Sequence, residues 1–321
     1  MKRRSFVIAT ASSVAAPLLR AQTLPHGPIR IVVGFAPGGG TDILARVMAQ
    51  KLSAMWGTQV IVENKAGASG TIAADYTAKQ PGDGNTLMMA HINSHAIATK
   101  LMKVNYDPEK DFQPVMLVGV TPNLLICNPQ QPAKTVKELV ELCRKNPGKV
   151  TFGSAGSGSA QHLALEMFKL QAGVTAIHVP YKGSGPMLSD LMAGQIQYSF
   201  DTMTAATPHV KSGKVVAIAQ TREKRAAGHP NVPTMAESGF PGFEATTWYG
   251  IAGPAKLPAA MARRMNEDMN KVLLMPDVME RFETYGAEDG GGTPEKFGQF
   301  MHVESQKWAK VVKDANVKAD A

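Results

Sequence analysis

Short apolar runs alternate with stretches of helical periodicity along almost the whole chain. The runs are rich in β-branched residues, which is typical of strands, and they lie at 29–35, 60–63, 86–90, 115–119, 124–127, 150–153, 176–179, 196–200, 215–220 and 247–252. Between them, apolar residues recur every three or four positions, as in 41–56 and in 135–145, which Thr135 is placed to cap. The alternation predicts an α/β fold with mostly parallel sheets flanked by helices.

Two apolar segments are interrupted in a way that predicts crossings between two lobes. "LVGVTPNLLICNP" is broken at Thr121 and Pro122, so one long strand must be kinked there or pass from one sheet to another. "GFPGFEATTWYGIAGP" is its counterpart, and the chain then gives helix signals at 258–274, 276–285 and 293–316. We therefore expect a bilobal protein, with 24–123 plus 246–321 in one lobe, 124–245 in the other, and a ligand cleft between them.

The N-terminal stretch "MKRRSFVIATASSVAAPLLRAQ" has the pattern of an export signal over residues 1–21. Arg3 and Arg4 followed by Ser5 and Phe6 fit the twin-arginine pattern, and an ordinary secretory signal with two arginines is the alternative. Either route predicts a periplasmic protein.

Charge and hydropathy exclude some classes of partner. The formal charge of +8 includes Lys2, Arg3, Arg4 and Arg20, so removal of the signal leaves +4. No run of basic residues concentrates this charge, which argues against nucleic acid. Beyond the signal, no stretch reaches the ~18 apolar residues that span a bilayer, so we expect a soluble mature protein that needs membrane partners for any transport role.

Cys127 and Cys143 are the only cysteines. Placed at a strand end and on the next helix, they either pair in an oxidising periplasm or are two buried thiols, and the sequence leaves both alternatives open.

A glycine cluster at residues 36–42 lies between a predicted strand and a predicted helix. Such a loop lets backbone amides approach an anion. A dinucleotide fingerprint needs glycine where Ile43 stands, and a P-loop needs Gly-Lys-Ser/Thr, whereas Gly40 is followed by Thr41 and Asp42. The loop therefore suits a smaller anion, with Thr41 as the expected helix cap.

A second loop of small residues, within "VTFGSAGSGSAQHLALEMFKLQAG", repeats the strand, loop and helix order in the other lobe. Ser157 or Ser159 can cap its helix, and Gly173 suits the C-terminal stop. Neither loop contains Arg or Lys. The pair predicts two helix N-termini that hold a carboxylate by neutral donors.

These segments resemble the Bug family of extracytoplasmic solute-binding receptors of tripartite tricarboxylate transporters. The resemblance covers essentially the whole mature chain and is carried by "IRIVVGFAPGGGTDILAR", "VIVENKAGASGTIAA", "PGDGNTL", "SHAI", "TFGSAGSGSAQHLA", "HVPYKGSGPMLSDLMAGQIQYSFD", "PHVKSGKVVAIAQT", "NVPTMAESGFPGFEATTWYGIAGPAKLP" and "GTPEKF". It implies a type II periplasmic-binding-protein fold and a monomer that closes on a small organic carboxylate: a dicarboxylate, an amino acid or an aromatic acid. It also implies delivery to a large and a small membrane subunit, without a cofactor or a metal.

The resemblance implies a set of ligand-binding residues. The carboxylate pincer maps to Ala36, Pro37, Gly38, Gly39, Gly40, Thr41 and Asp42, and to Ser154, Ala155, Gly156, Ser157, Gly158, Ser159, Gln161 and His162. Asp201 lies where the family has a cleft-lining aspartate, and it either binds a ligand ammonium or hydroxyl or caps the segment that follows. Trp248 either covers the ligand or belongs to the core. His95, in "SHAI", is the remaining candidate.

The segment around "MMAHINSHAIATKLM" departs from the family, which has small residues before "HAI", whereas here His91, Asn93 and Ser94 stand there. This puts the identity of the ligand in doubt more than its class. His91 and His95, at i and i+4, imitate a metal pair but lack a third ligand.

Two rival functions differ from uptake. A sensing receptor would use the same cleft, so the sequence does not separate it from a transport receptor. An exported serine hydrolase is disfavoured, because no serine lies in a Gly-x-Ser-x-Gly elbow. We therefore do not expect an enzyme.

Overall fold

A computed structural model describes residues 24, 25 and 27–314 of the 321-residue chain. The predicted export signal at 1–21 lies outside the described residues, as do positions 315 and 316 of the last predicted helix. The strands are β1 Ile29–Val33, β2 Val60–Asn64, β3 Thr86–His91, β4 Phe112–Cys127, β5 Thr151–Ser154, β6 Ile177–Pro180, β7 Tyr198–Thr202, β8 Val216–Gln220 and β9 Thr246–Pro254. The α-helices are α1 Gly40–Trp56, α2 Thr71–Ala78, α3 Ala98–Leu101, α4 Val136–Lys145, α5 Ala160–Ala172, α6 Ser184–Met192, α7 Met203–Lys211, α8 Ala259–Leu273, α9 Pro276–Thr284 and α10 Pro294–Asp314.

The strands form two sheets that share one long strand. The first sheet has the order β2-β1-β3-β9-β4. In the second, β4 pairs with β7 and β8, and β7 continues to β5 and β6. We call the parts built around these sheets the first and the second lobe.

Strand β4 passes from one lobe to the other at the break that the sequence contains. Residues 112–122 pair with β9 in the first sheet, and residues 123–127 pair with β7 and β8 in the second. Of the two alternatives for this segment, passage between sheets is therefore the correct one. Two runs predicted as separate strands, 115–119 and 124–127, are parts of this single strand.

Parallel and antiparallel pairings occur in both sheets. Strands β1, β2 and β3 are parallel, as are β5, β6 and β7. The antiparallel pairings all involve β4 or β9, the two strands that connect the lobes. The predicted bilobal α/β fold is confirmed, with mixed sheets because the connecting strands run against their neighbours.

Each lobe has a core on both faces of its sheet. Successive residues of a strand point to opposite faces, so Ile31 packs in a cluster with α1 and α8, and Val32 packs in another with Trp248 and Trp308. The second lobe repeats this with Leu125 and Leu124. Burial of these side chains provides most of the driving force for folding.

Cys127 and Cys143 are both free thiols buried in the second lobe. Burial raises the pKa of Cys143 to about 11. Of the two alternatives, two buried thiols is the one that the structure has. Among the helices of residues 27–314, none combines the length and the hydropathy needed to cross a bilayer.

Candidate functional site

The first glycine-rich loop, residues 36–42, is shaped by the side chain of Asp42. Its carboxylate lies 2.9 Å from Arg46, and it accepts hydrogen bonds from Asn64 at 3.0 Å and from the Gly38 amide at 3.1 Å. Burial opposes the charged form, but these hydrogen bonds outweigh it and hold the pKa of Asp42 below its ordinary value. Asp42 therefore stabilises the loop, and both its oxygens are occupied.

The N-terminus of α1 has no side-chain cap. The prediction that Thr41 caps this helix is wrong, because the helix begins at Gly40 and Gly39 is the N-cap. The first amides of a helix have no partner within the helix. Gly40 and its two successors thus present N–H groups together with the positive end of the helix dipole.

Two polar side chains lie close to Gly40, on the side where any other residue would carry its Cβ. A Cβ at this position would lie 2.6 Å from the Tyr249 hydroxyl and 2.7 Å from Oγ1 of Thr202. Glycine is required here because the backbone approaches these groups more closely than a side chain allows.

The second loop, residues 154–159, is held by its own side chains. Ser159 caps α5 as predicted, accepting from the His162 amide at 3.2 Å. The buried Ser154 hydroxyl lies 2.6 Å from Nε2 of His178 and accepts from the Gly156 amide at 3.1 Å. These hydrogen bonds fix the loop and leave the Ser154 hydroxyl away from solvent.

The ring of His162 also contacts the second loop. Its Nδ1 accepts from the Gly158 amide at 3.1 Å, and the ring stacks on His178 with centroids 3.8 Å apart. We interpret His162 as a residue that supports the loop.

Each loop contacts the opposite lobe, so the cleft is closed. The Ala36 amide donates to the Lys182 carbonyl at 3.0 Å, and a Cβ on Gly185 would lie 2.1 Å from the Pro37 carbonyl oxygen. The Ser69 hydroxyl donates to the Ser157 carbonyl at 2.5 Å. These contacts hold the first lobe directly against the second.

One cavity is enclosed between the two helix N-termini. It has a volume of about 10 Å³, room for about one water molecule. Both lobes line it, the first with Phe35, Gly39, Gly40, Thr41, His91, Asn93 and Tyr249, and the second with Ala155, Gln161, Ser184 and Thr202. Within the described chain, none of these lining residues is Lys, Arg, Asp or Glu, and burial lowers the pKa of His91 to about 3, so this histidine is neutral.

Several buried polar atoms around this cavity have no hydrogen-bond partner. Among the described residues they include Nδ2 of Asn93, Oε1 of Gln161, Oδ2 of Asp201 and the hydroxyl of Tyr249. Buried polar groups are almost always paired. These atoms cluster at the junction of the two lobes.

Asp201 lies behind the cavity wall, in β7. Its Oδ1 accepts from the Ser184 hydroxyl at 2.5 Å and from the Thr202 amide at 2.8 Å. Burial raises the pKa of Asp201 to about 7, even though both hydrogen bonds favour the charged form. Thr202 rather than Asp201 caps the next helix, α7.

Some predicted site residues lie elsewhere. Trp248 packs against Phe297 and Phe300 in the core of the first lobe, and its strand neighbour Tyr249 lines the cavity instead. Strand alternation is the signal that could have identified Tyr249. Gly156 and Ser157 line an open groove of about 490 Å³ outside the cavity.

His95 belongs to the core and not to the cavity wall. Its ring lies 4.6 Å from that of Phe112, and burial lowers its pKa to about 3. His91 ends β3, whereas His95 lies in the following π-helical turn, so the two histidines do not lie on one helix face as the i, i+4 spacing of a metal pair requires. In the described part of the chain, no group of three His, Cys, Asp or Glu is arranged to hold a metal ion.

Comparison with known proteins assigns the chain to a family. The model of the tripartite tricarboxylate transporter family receptors matches residues 44–317. The chain belongs to this family. It is also similar to the periplasmic binding protein BugD, at 35% identity and a TM-score of 0.88 over 92% of this chain and 100% of that one. The resemblance to the Bug family is thus confirmed, and the family consists of receptors.

Two similar structures were solved with carboxylates. A protein of Rhodopseudomonas palustris with adipate is 35% identical, with a TM-score of 0.88 over 92% of this chain and 99% of that one. MatC from the same organism, with bound malate, is 31% identical, with a TM-score of 0.84 over 90% of this chain and 100% of that one.

Proposed function

We propose that this protein is a periplasmic receptor that captures a small organic carboxylate between its two lobes and delivers it to the membrane subunits of a tripartite tricarboxylate transporter. The lobes are residues 24–123 with 246–321, and residues 124–245. Export by an N-terminal signal and action as a monomer are parts of the proposal.

The observation that carries this proposal is the convergence of two helix N-termini on one enclosed cavity. Gly39 and Gly40 begin α1 on one side, and Ala155 and Gln161 flank the start of α5 on the other. Each helix start directs roughly half a positive charge at the cavity, and the uncapped start of α1 also offers amide donors. We propose residues 36–42 and 154–159 as the two loops that close around the ligand, with α1 holding the carboxylate.

The charged groups around the cavity restrict the charge that a ligand can carry. A carboxylate at α1 is balanced by amides alone, because the cavity wall has no cationic side chain. A second carboxylate near Asp201 is unfavourable unless the two groups share a proton. The raised pKa of Asp201 makes such a proton available near neutral pH.

Adipate and malate, the ligands of the two R. palustris proteins, are therefore the first compounds to test. A cavity of about 10 Å³ is too small for either of them. Binding thus requires the lobes to open and to close again around the ligand, which favours the closed state by its contacts with both lobes.

Thermal unfolding tests the proposal. The purified chain, refolded once to remove any ligand carried over, is heated with adipate, malate, succinate, glutamate, nicotinate and terephthalate, and with the corresponding amides. A ligand at 100 times its Kd adds about 2.7 kcal/mol, so the melting temperature should rise for at least one acid and not for its amide. Folded protein without a rise for any acid contradicts the proposal.

A further inference from the structure

Asn93 lies at the point where this sequence departs from the small residues expected before "HAI". It begins a π-helical turn, Asn93–Ile97, directly after β3. Its side chain is fully buried, and it lines the enclosed cavity. π-helical turns are frequent at functional sites.

The orientation of the Asn93 side chain is fixed by the other lobe. Its Oδ1 accepts a hydrogen bond from the Ala160 amide, at the start of α5, at 2.9 Å. The turn itself is held by the Asn93 amide, which donates to His91 at 3.1 Å, and by the Tyr106 hydroxyl, which donates to the Ser94 carbonyl at 2.6 Å. Because an amide N–H only donates, this bond requires the oxygen of Asn93 to face α5.

The same arrangement leaves the NH₂ group of Asn93 without an acceptor. Nδ2 is buried and has no hydrogen-bond partner. An unsatisfied buried donor is unfavourable, and an acceptor oxygen from a ligand removes this cost. A carboxylate is the strongest such acceptor.

We propose that Asn93 determines specificity by donating from Nδ2 to a carboxylate oxygen of the ligand. The donor is correctly oriented only in the closed cleft, since the amide that orients it belongs to the second lobe. Asn93 therefore couples recognition of the acid to closure. This inference rests on the proposed carboxylate-binding function and adds the residue that distinguishes the acid from its amide.

The variant Asn93→Asp replaces the donor by a charged acceptor that repels the carboxylate of an acid. It keeps the shape of the side chain and an oxygen for the Ala160 amide, but it replaces the NH₂ group by a second oxygen. Asn85→Asp is the matched control, because it makes the same change in the same lobe just before β3, at a half-buried position outside the cavity. Isothermal titration uses the acid of the thermal-unfolding panel that the wild type binds most tightly, and the monoamide of that acid.

We expect Asn93→Asp to bind the acid roughly 10- to 100-fold more weakly than the wild type, the range typical of a lost charge-assisted hydrogen bond. The monoamide should lose much less, because its own NH₂ group can donate to the new carboxylate. A purely structural role would weaken both ligands equally. Asn85→Asp should bind both ligands as the wild type does.

Equal affinity of Asn93→Asp and the wild type for the acid, or an equal loss for acid and monoamide, overturns the inference while the proposed function stands. Failure of the wild type to bind any acid of the thermal-unfolding panel overturns both. If Asn93→Asp does not fold, a crystal structure of the wild type with the acid decides. A carboxylate oxygen within 3.2 Å of Nδ2 supports the inference, and any other partner for Nδ2 rejects it.

Discussion

The two glycine-rich loops have the same order of strand, loop and helix. The helix that follows the second loop is capped by side chains, whereas the helix that follows the first loop is not. At α5, Ser159 caps the His162 amide, and Asn93 reaches across the cleft to the Ala160 amide. At α1, the N-cap is Gly39, and no side chain caps the helix. The helix that lacks a cap is thus the one with amides left for a ligand, whereas the capped helix serves to fix its loop.

The two buried carboxyl groups near the cavity also differ, in the direction in which their pKa values are shifted. Asp42 beside α1 is paired with Arg46, and its pKa is lowered by hydrogen bonds in spite of burial. Asp201 in the second lobe has hydroxyl and amide partners, and burial raises its pKa. The surroundings thus stabilise the negative charge of Asp42 and destabilise that of Asp201.

Gly40→Ala should weaken binding of the acid at the uncapped N-terminus of α1. The new Cβ would lie 2.6 Å from the Tyr249 hydroxyl and would fill the space that a ligand carboxylate needs. Overpacking of this kind costs about 2–3 kcal/mol, so the affinity for the acid found by thermal unfolding should fall roughly 30- to 150-fold in calorimetry. Gly298→Ala is the control, because it lies in α10 outside the cavity and its Cβ would make only ordinary contact with Pro114, at 3.4 Å. Unchanged affinity in Gly40→Ala would show that the ligand does not bind at α1.

Asp201→Asn tests the contrast between the two carboxyl groups. The folded protein holds the proton of Asp201 up to a pH of about 7, whereas an unfolded carboxyl releases it near 3.8. The contribution of this group to stability is therefore lost as the pH rises from about 4 to 7. Urea unfolding measures the free energy of unfolding of both proteins at pH 4.5 and at pH 7.5. The value for Asp201→Asn, relative to that of the wild type, should rise by on the order of 2 kcal/mol between these two pH values.

His91 and His95 have the opposite effect on the pH dependence of stability. Because their pKa values are lowered in the folded protein, the unfolded state binds protons first, and stability falls as the pH drops below about 6.5. Both are present in the wild type and in Asp201→Asn, so their effect cancels in the comparison. Burial raises the pKa of Tyr249, which faces Asp201, so this hydroxyl stays neutral throughout. A difference between the two proteins that does not change with pH would show that Asp201 is ionised in the folded state.

Ser159→Ala should have the smallest effect. It removes the cap of α5, which typically costs about 1 kcal/mol, whereas Ser159→Gly should cost only a few tenths. Urea unfolding at pH 7.5 measures both variants. Equal stability of the wild type and Ser159→Ala would contradict the assignment of Ser159 as a structural cap.

Local pattern is sufficient to predict most of the elements. The helix at α1, the cap Thr135 of α4 and the break in β4 at Pro122 follow from spacing, capping chemistry and the restrictions on proline, all of which act between near neighbours in sequence. The two loops are predictable in the same way, because a cluster of small residues between a strand and a helix is a local feature of the sequence.

The cavity wall is harder to predict because it is assembled from distant segments. Ser184 and Thr202 carry no local signal that separates them from core or turn residues. They meet Gly39 and Gly40 only after both sheets have formed. Trp248 and His95 are predicted for the site but lie in the core, since the direction of a side chain depends on which face of the sheet its neighbours cover.

Order and spacing along the chain are therefore enough to establish the α/β elements, the two lobes, the two glycine-rich loops and the family. Tertiary packing is needed to establish which residues line the cavity, that Asp201 is buried and that Asn93 reaches the other lobe. The difference arises because hydrogen bonding and burial of these groups depend on partners that are distant in sequence, and packing of the whole chain fixes where those partners lie.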